Sequence, residues 1–307
     1  MDEVKYHESV MVREVLENLG LKRAPLKNQV RVIDATLGTG GHSLAIIKIG
    51  GRVLGIDLDE EILEIAKKRL EKACPALEKD RAPFKLVNGN FKDIDKIAEG
   101  AGFKKVDGVV FDLGVSNIHL KSSSRGFSFE NETAPLDARL NPKLQAVTAA
   151  DLLNSLRKDQ LESLFNTVMT KGKSKKLAIE VVIARGEELI KNVGDFLKII
   201  NKAKIAGGKL HPGTLPFLAL RIAVNSELEN LKIALPKAFE LLKKGGRLVV
   251  ISFHSGEDKL VKNFFRDMEK KDLGSVLTKK PLTSTSVEIN RNPRARSAKL
   301  RCLEKVI

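Results

Sequence analysis

The 307-residue sequence predicts an α/β fold: an open, mostly parallel sheet of the nucleotide-binding kind, interrupted by an all-helical insert. Three observations carry this reading. A β-branched run, Val30 to Ile33, ends at Asp34 and breaks into a turn with Gly38, Gly40 and Gly41 before the helix-forming stretch Ser43 to Ile47. A second strand-like run reaches Asp57, 19 residues after Gly38, near the ~20 expected of a carboxylate that grips ribose hydroxyls. From 148 to 206 helical patterns follow one another with no strand between them, so the strands of the sheet lie on either side of a purely helical stretch.

The glycine turn narrows the ligand. Glycines there let backbone approach a ligand where a Cβ would collide. A dinucleotide site wants a third Gly or Ala at position 43, which is Ser43. A different spacing fits better, with an acid at the strand end and small residues two, four and six places on: Asp34, Thr36, Gly38 and Gly40, of which only Thr36 departs from glycine. That pattern resembles the first motif of S-adenosylmethionine (AdoMet) methyltransferases.

The elements follow in order. Residues 8–20 predict an amphipathic helix with Val12, Val15, Leu16 and Leu19 on one face. A helix over about 59–72 opens with acids in its first turn, where the helix dipole favours them. Phe84 to Val87 is a third strand, closed by Asn88-Gly-Asn-Phe91. This turn reads in two ways. Asn90 accepts an adenine amine while Phe91 packs on the ring, or it is a plain turn followed by a core Phe. Val106 to Phe111 is nearly all apolar, as a strand buried on both faces is, and it ends at Asp112. Ligands of open parallel sheets bind beyond the carboxyl ends of the strands, so Asp34, Asp57 and Asp112 are expected on one rim.

After Asp112 the alternation stops. Residues 117–145 are polar and too long for an idle connection. Helices are expected over about 149–156, 158–169, 175–191 and 194–202. The domain boundaries read from this are 1–119 and 209–307 for the sheet domain and 120–208 for the helical insert, expected to sit over the rim. One long helix from about 215 to 242 is expected next, stopped by Gly245-Gly246, then a fifth strand from Arg247 to Phe253 and a last one from Leu300 to Val306.

A net charge of +15 produces a field that attracts polyanions, which makes nucleic acid the first partner to consider, although a lysine-rich proteome gives the same excess. Two cysteines far apart, Cys74 and Cys302, suit neither a disulfide framework nor a zinc site. No run of about 18 apolar residues suggests a membrane span, and the N-terminus lacks a secretion signal, so a cytoplasmic location is expected.

Three further constellations bear chemistry. Arg221, Asn225 and Glu229 fall at i, i+4 spacing, as a functional polar face or as a solvated one with an ion pair. His254 follows the fifth strand, as a rim catalyst or as a hydrogen-bonded structural group. Arg294 and Arg296 lie in a basic, Pro-interrupted loop suited to phosphate contacts. With no Trp and one Tyr, the candidates for base stacking are Phe127, Phe129 and Phe253.

At this point the ordered blocks suffice for a family. Asp34-Ala-Thr-Leu-Gly-Thr-Gly-Gly-His-Ser43, Asp112-Leu-Gly-Val-Ser116, Arg125-Gly-Phe-Ser-Phe129, Pro135-Leu-Asp-Ala-Arg139, Leu220 to Leu228, Gly246 to Ser255 and Asn292 to Ser297 together resemble the MraW/RsmH family of small-subunit rRNA cytosine-N4 methyltransferases, over about Tyr6 to Lys305. The resemblance implies a Rossmann-like class I AdoMet-dependent methyltransferase sheet and a decoding-site cytosine as target. The implied partners are the small ribosomal subunit and its 16S rRNA, with no metal and no membrane; a homodimer is allowed. It places AdoMet contacts on Gly40, Gly41, His42, Asp57, Phe91, Asp112 and His119, beside Asp34, Gly38 and Asn90. His119 replaces the family's usual Gln. Leu215, Leu218, Gly256 and Ala138 stand where Arg, Gln, Leu and Met are usual, changes expected to bear on RNA contacts.

Cytosine N4 is a poor nucleophile because its lone pair is delocalised into the ring. The protein must position it at about 3–3.5 Å and draw on its N–H bonds. The turn after the fourth strand lacks the prolines and aromatic of many amino-methyltransferases, so Asp112 is expected to serve mainly the cofactor. Stacking then falls to Phe127 or Phe129, and base-edge contacts to Asn225 and His254, with Arg221, Arg294 and Arg296 on RNA. The rival readings are a non-catalytic RNA-binding assembly factor that retains AdoMet affinity, and an NAD-dependent oxidoreductase, which Ser43 opposes.

Overall fold

The computed structural model describes residues 9–21, 30–74, 82–115, 125–205 and 211–307. The chain divides into two compact units, Met1–Ser116 with Glu229–Ile307, and Asn117–Leu228.

The first unit is built on a sheet of β1 (Arg31–Asp34), β2 (Arg52–Asp57), β3 (Phe84–Asn88), β4 (Val106–Asp112), β5 (Leu242–Ser252), β6 (Gly274–Val276), β7 (Leu282–Thr283) and β8 (Lys299–Lys305). The spatial order is β3-β2-β1-β4-β5-β8-β6, with β7 also paired to β8. Pairs among β1 to β5 are parallel, whereas β8 runs antiparallel to β5. The order reverses between β1 and β4, and a ligand site is expected at such a switch point.

Alternate residues of the central strands face two cores. Val32, Val53, Val110 and Val249 pack with Val15 of α1 (Val12–Asn18), Ile46 of α2 (Gly41–Lys48) and Leu70 of α3 (Glu60–Ala73). Ile33, Leu54, Val109 and Val250 pack on the other side with Ala98 of α4 (Ile94–Ala101) and with Leu231 and Phe239. Burial on both faces is why these strands read as continuous apolar runs. Asp59 caps α3, its Oδ1 accepting from the backbone N–H of Glu61 at 2.8 Å and of Ile62 at 3.3 Å.

The second unit holds α5 (Ala149–Ser155), α6 (Lys158–Asn166), α7 (Lys171–Glu187), α8 (Val193–Lys202) and α9 (Thr214–Val224). They close over Leu153, Leu161, Phe165, Leu177, Phe196 and Leu220. Thr148 with Asp151, and Asn192 with Asp195, form capping boxes that start α5 and α8 where the sequence places polar residues before apolar runs. Because α9 shares this core, the unit runs to Leu228 rather than stopping near 208.

The expected single helix over 215–242 is two. α9 ends at Val224, and α10 (Glu227–Leu241) begins after Ser226, whose φ of 50° breaks the helical path. The expected helix over 8–20 shrinks to α1, because Met11 sits at φ 55°. α11 (Ser255–Lys270) and the short α12 (Ser286–Arg291) complete the fold.

Candidate active site

The rim at the end of β1 is built from backbone and short side chains. Asp34 is fully buried; the Ser43 hydroxyl donates to its Oδ2 at 2.6 Å, and its Oδ1 has no hydrogen-bond partner among the described residues. Gly40 takes φ 78° to enter α2, a left-handed conformation in which a side chain would be strained. A Cβ on Gly41 would collide with Ser9 Oγ. Gly38 N–H donates to Asp57 Oδ2 at 2.8 Å, and Asp59 N–H donates to Asp57 Oδ1 at 2.9 Å. The acid at the end of β2 therefore also fixes the glycine turn.

Two positions that break the simplest motif spacings hold the rim together. Thr36 Oγ1 accepts from the Asp112 N–H at 2.6 Å, joining the turn after β1 to the end of β4, and Ser43 holds Asp34. From α3, Arg69 Nη1 donates to the Thr39 carbonyl at 3.1 Å and braces the turn. Sequence reasoning assigned no role to Thr36, Ser43 or Arg69. The signal available was the departure from glycine at 36 and 43.

His42 is 4% exposed. Its Nε2 lies 2.9 Å from the Val10 carbonyl, which only accepts, so Nε2 carries a hydrogen. Its Nδ1 lies 3.6 Å from Asp112 Oδ2. Burial pushes the Asp112 carboxyl up to about 6, with His42 and Arg294 opposing and Asp34 and Glu257 reinforcing. Burial likewise raises Asp34, against the pull of His42. Asp112 keeps 21% side-chain exposure on one edge, while its Oδ1 is shut from solvent without a hydrogen-bond partner among the described residues. Asp34 and Asp112 thus each hold one buried carboxylate oxygen without a hydrogen-bond partner among the described residues, beside a turn in which a side chain at 41 would collide with Ser9. Buried carboxylates suit a cationic ligand, and AdoMet carries an ammonium and a sulfonium.

At the end of β3, Asn90 Oδ1 accepts from the Lys92 N–H at 3.0 Å, which commits one lone pair and leaves its Nδ2 donors. Phe91 stands edge-on to Phe111 at 5.7 Å and is partly buried against the core. His119 lies outside the described residues.

Beyond β5, His254 is the N-cap of α11. Its Nδ1 accepts from the Gly256 N–H at 3.2 Å, so the neutral ring carries its hydrogen on Nε2. Glu257 Oε2 accepts from the N–H of Phe253 at 2.8 Å and of His254 at 3.3 Å. The ring is thus a donor in this state, not an acceptor for the target amine. Arg294 donates to the Val115 carbonyl and pulls Asp112 down, so it faces the β4 rim rather than open solvent. Arg291 and Arg296 are exposed.

In the second unit several expected substrate contacts are corrected. Asn225 is 4% exposed. Its Nδ2 donates to the carbonyls of Ala138 at 2.8 Å and Arg221 at 2.9 Å. Its Oδ1 accepts from Leu140 N–H and Gln145 Nε2, both at 2.9 Å. That is the full capacity of an amide, so Asn225 pins the 138–145 segment and has nothing left for a base. Arg221 makes a bidentate pair with Glu227 (Nε–Oε1 2.8 Å, Nη2–Oε2 2.9 Å) instead of sharing a helical face with Glu229, because the helix breaks between them. Phe127 is buried at 6% exposure, and one face of the partly buried Phe129 is taken by His211, stacked at 4.2 Å.

The strand order, the glycine cradle on the switch-point rim and the buried acids around it define a class I AdoMet-dependent methyltransferase fold. The model of the MraW methylase family matches residues 4–306, and the chain belongs to that family. It is similar to the ribosomal RNA small subunit methyltransferase H of Methylacidiphilum infernorum, at 41% identity over 99% of this chain and 96% of the relative. The protein of the same name from Dictyoglomus thermophilum is 40% identical over 99% of both chains. Among solved structures, an rRNA methylase from Streptococcus thermophilus is similar at a TM-score of 0.46 and 12% identity over 96% of each chain.

Proposed function

We propose that this protein transfers a methyl group from AdoMet to the N4 amine of a cytosine in 16S rRNA of the small ribosomal subunit. The observation that carries the cofactor half is the pair of buried orphan carboxylate oxygens on Asp34 and Asp112, set around a glycine turn held by Asp57. Bound there, AdoMet supplies an electrophilic methyl group on a sulfonium. Asp34 and Asp112 would meet its positive charges, Asp57 its ribose, and Asn90 and Phe91 its adenine end. The backbone of Gly38, Gly40 and Gly41 would line the approach, with His42 beneath it.

The substrate half is supported by full-length similarity to proteins named for small-subunit rRNA methylation and by the excess of positive charge. Exposed Arg291 and Arg296 supply phosphate contacts, and Arg294 connects that loop to the rim. His254 addresses the base edge as a donor. The released proton passes to solvent. Calorimetry with AdoMet followed by tritium-methyl transfer to purified small subunits tests the reading. Binding with transfer supports it; binding without transfer overturns it in favour of a non-catalytic assembly factor.

A further inference from the structure

We propose that Glu257 is a positioning residue that holds His254 as an Nε2–H donor toward the ring-nitrogen acceptor beside the amine being methylated, and that this pair selects cytosine over uracil. The inference rests on the reading above and deepens it.

Glu257 is 2% exposed. A buried carboxylate is costly unless hydrogen bonds compensate it. One oxygen, Oε2, receives the N–H groups of Phe253 and His254 in a capping box at the start of α11. The other, Oε1, lies 3.2 Å from His254 Nε2 without hydrogen-bond alignment. The same imidazole accepts from Gly256 N–H at Nδ1. Both contacts favour one tautomer: Gly256 requires a lone pair on Nδ1, and the Oε1 charge favours a hydrogen on Nε2. That Nε2–H is itself shut from solvent and has no hydrogen-bond acceptor among the described residues, while the side chain as a whole is 9% exposed.

The site is on the correct rim. Leu113 N–H donates to the Ile251 carbonyl at 3.0 Å, so the ends of β4 and β5 are joined. The Glu257 charge is the smallest of the named influences that raise the Asp112 carboxyl, after burial and Asp34. A fixed donor there discriminates by chemistry. Cytosine carries an acceptor at N3 beside its N4 amine, which an Nε2–H satisfies. Uracil carries N3–H beside O4, and two donors would face each other, leaving buried groups unpaired.

Glu257→Gln separates this role from helix capping. Gln retains a carbonyl oxygen for the two backbone N–H groups, a capping-box residue in its own right. Its amide NH2 then falls at the Oε1 position and opposes a hydrogen on Nε2. His254→Asn keeps a good N-cap without a ring donor. Long-range ¹⁵N–¹H NMR, assigned by loss of the ring signals in His254→Asn, reads the tautomer. The expected wild-type ring is the Nε2–H form. Glu257→Gln is expected to reduce that form and to lower kcat/KM for small-subunit methylation about 100- to 1000-fold, the scale of a lost donor at a reacting group. His254→Asn should match it within a few-fold, while Tm and AdoMet affinity stay near wild type. A wild-type ring in the Nδ1–H form overturns the proposal, as does Glu257→Gln with wild-type kcat/KM or with a loss of Tm in proportion. A wild type that does not methylate small subunits overturns the functional reading itself, whereas transfer with an indifferent Gln variant overturns only this inference.

Discussion

His42 joins the N-terminal segment to the catalytic rim through one ring: Nε2 donates to the Val10 carbonyl at 2.9 Å, and Nδ1 faces Asp112 Oδ2 at 3.6 Å. With the hydrogen of the neutral ring on Nε2, Nδ1 is a lone pair facing a carboxylate oxygen. The contact is attractive when the Asp112 carboxyl carries its proton. Burial raises Asp112 to about 6, so this proton leaves on the acid side of neutrality. A cation in the pocket favours the ionised carboxylate, so AdoMet affinity is expected to rise as pH increases through about 6. Calorimetry at pH 5.5 and 7.5 checks this. Equal affinity at both values contradicts it.

The same group affects stability with a definite sign. Its folded value lies above its ordinary 3.8, so its contribution is fully present below about 3.8 and is lost as pH rises to about 6. At neutral pH the fold therefore carries an ionised, half-sheltered acid at a cost. Asp112→Asn is expected to raise Tm at pH 7.5 and to have little effect near pH 4, while abolishing AdoMet binding. Thermal melts at the two values check the sign.

Thr36 ties the turn after β1 to β4 through one hydroxyl, which accepts from Asp112 N–H. Thr36→Val keeps the shape and removes the acceptor, leaving the N–H unsatisfied at about 1–3 kcal/mol. The expected outcome is roughly tenfold weaker AdoMet binding, with Thr36→Ser close to wild type. Titration calorimetry on both variants decides it.

Asn225→Ala removes four hydrogen bonds, three of which pin Ala138, Leu140 and Gln145 to the end of α9. A loss of about 2 kcal/mol or more is expected, read by urea denaturation. AdoMet affinity is expected to stay unchanged, since all four partners lie in the helical unit. Turnover is expected to fall as the segment loosens; full turnover in both Asn225→Ala and His254→Ala would remove both residues from the account.

Arg291→Gln with Arg296→Gln removes two exposed charges. Binding to small subunits should weaken without regard to base, and the slope of log K against log salt should shrink by about 1.5. Arg294→Gln should differ, because this guanidinium is held by Val115 and bears on Asp112. It is expected to shift the pH midpoint of AdoMet binding upward. Salt titrations of the variants separate the two behaviours.

The sheet was legible because strands buried on both faces leave uninterrupted apolar runs, and Asp34, Asp57 and Asp112 mark their ends. What was not legible depends on contacts distant in sequence. Nothing in the periodicity of 215–242 distinguishes one helix from two, since the break is a single positive φ at Ser226. β6 and β7 span three and two residues, too short for a pattern. At the site, residue type alone could not tell an amide that reads a base from one saturated by Ala138, Arg221, Leu140 and Gln145. Nor could it tell a stacking Phe127 from a buried one. Glu257 was passed over because its oxygens serve backbone groups and a ring only three residues away, contacts that no spacing rule assigns to function.

The central claim is methyl transfer to cytosine N4 in small-subunit rRNA, and mass spectrometry of the modified nucleosides tests it most directly. Small subunits from cells lacking this protein are compared before and after incubation with the purified protein and AdoMet. The account expects a cytidine bearing one added methyl group, with fragmentation placing it on N4, to be absent before incubation and present after it, and absent again with Asp112→Asn. A methyl group appearing on carbon 5 or on ribose, or no new methylated cytidine at all, would contradict it.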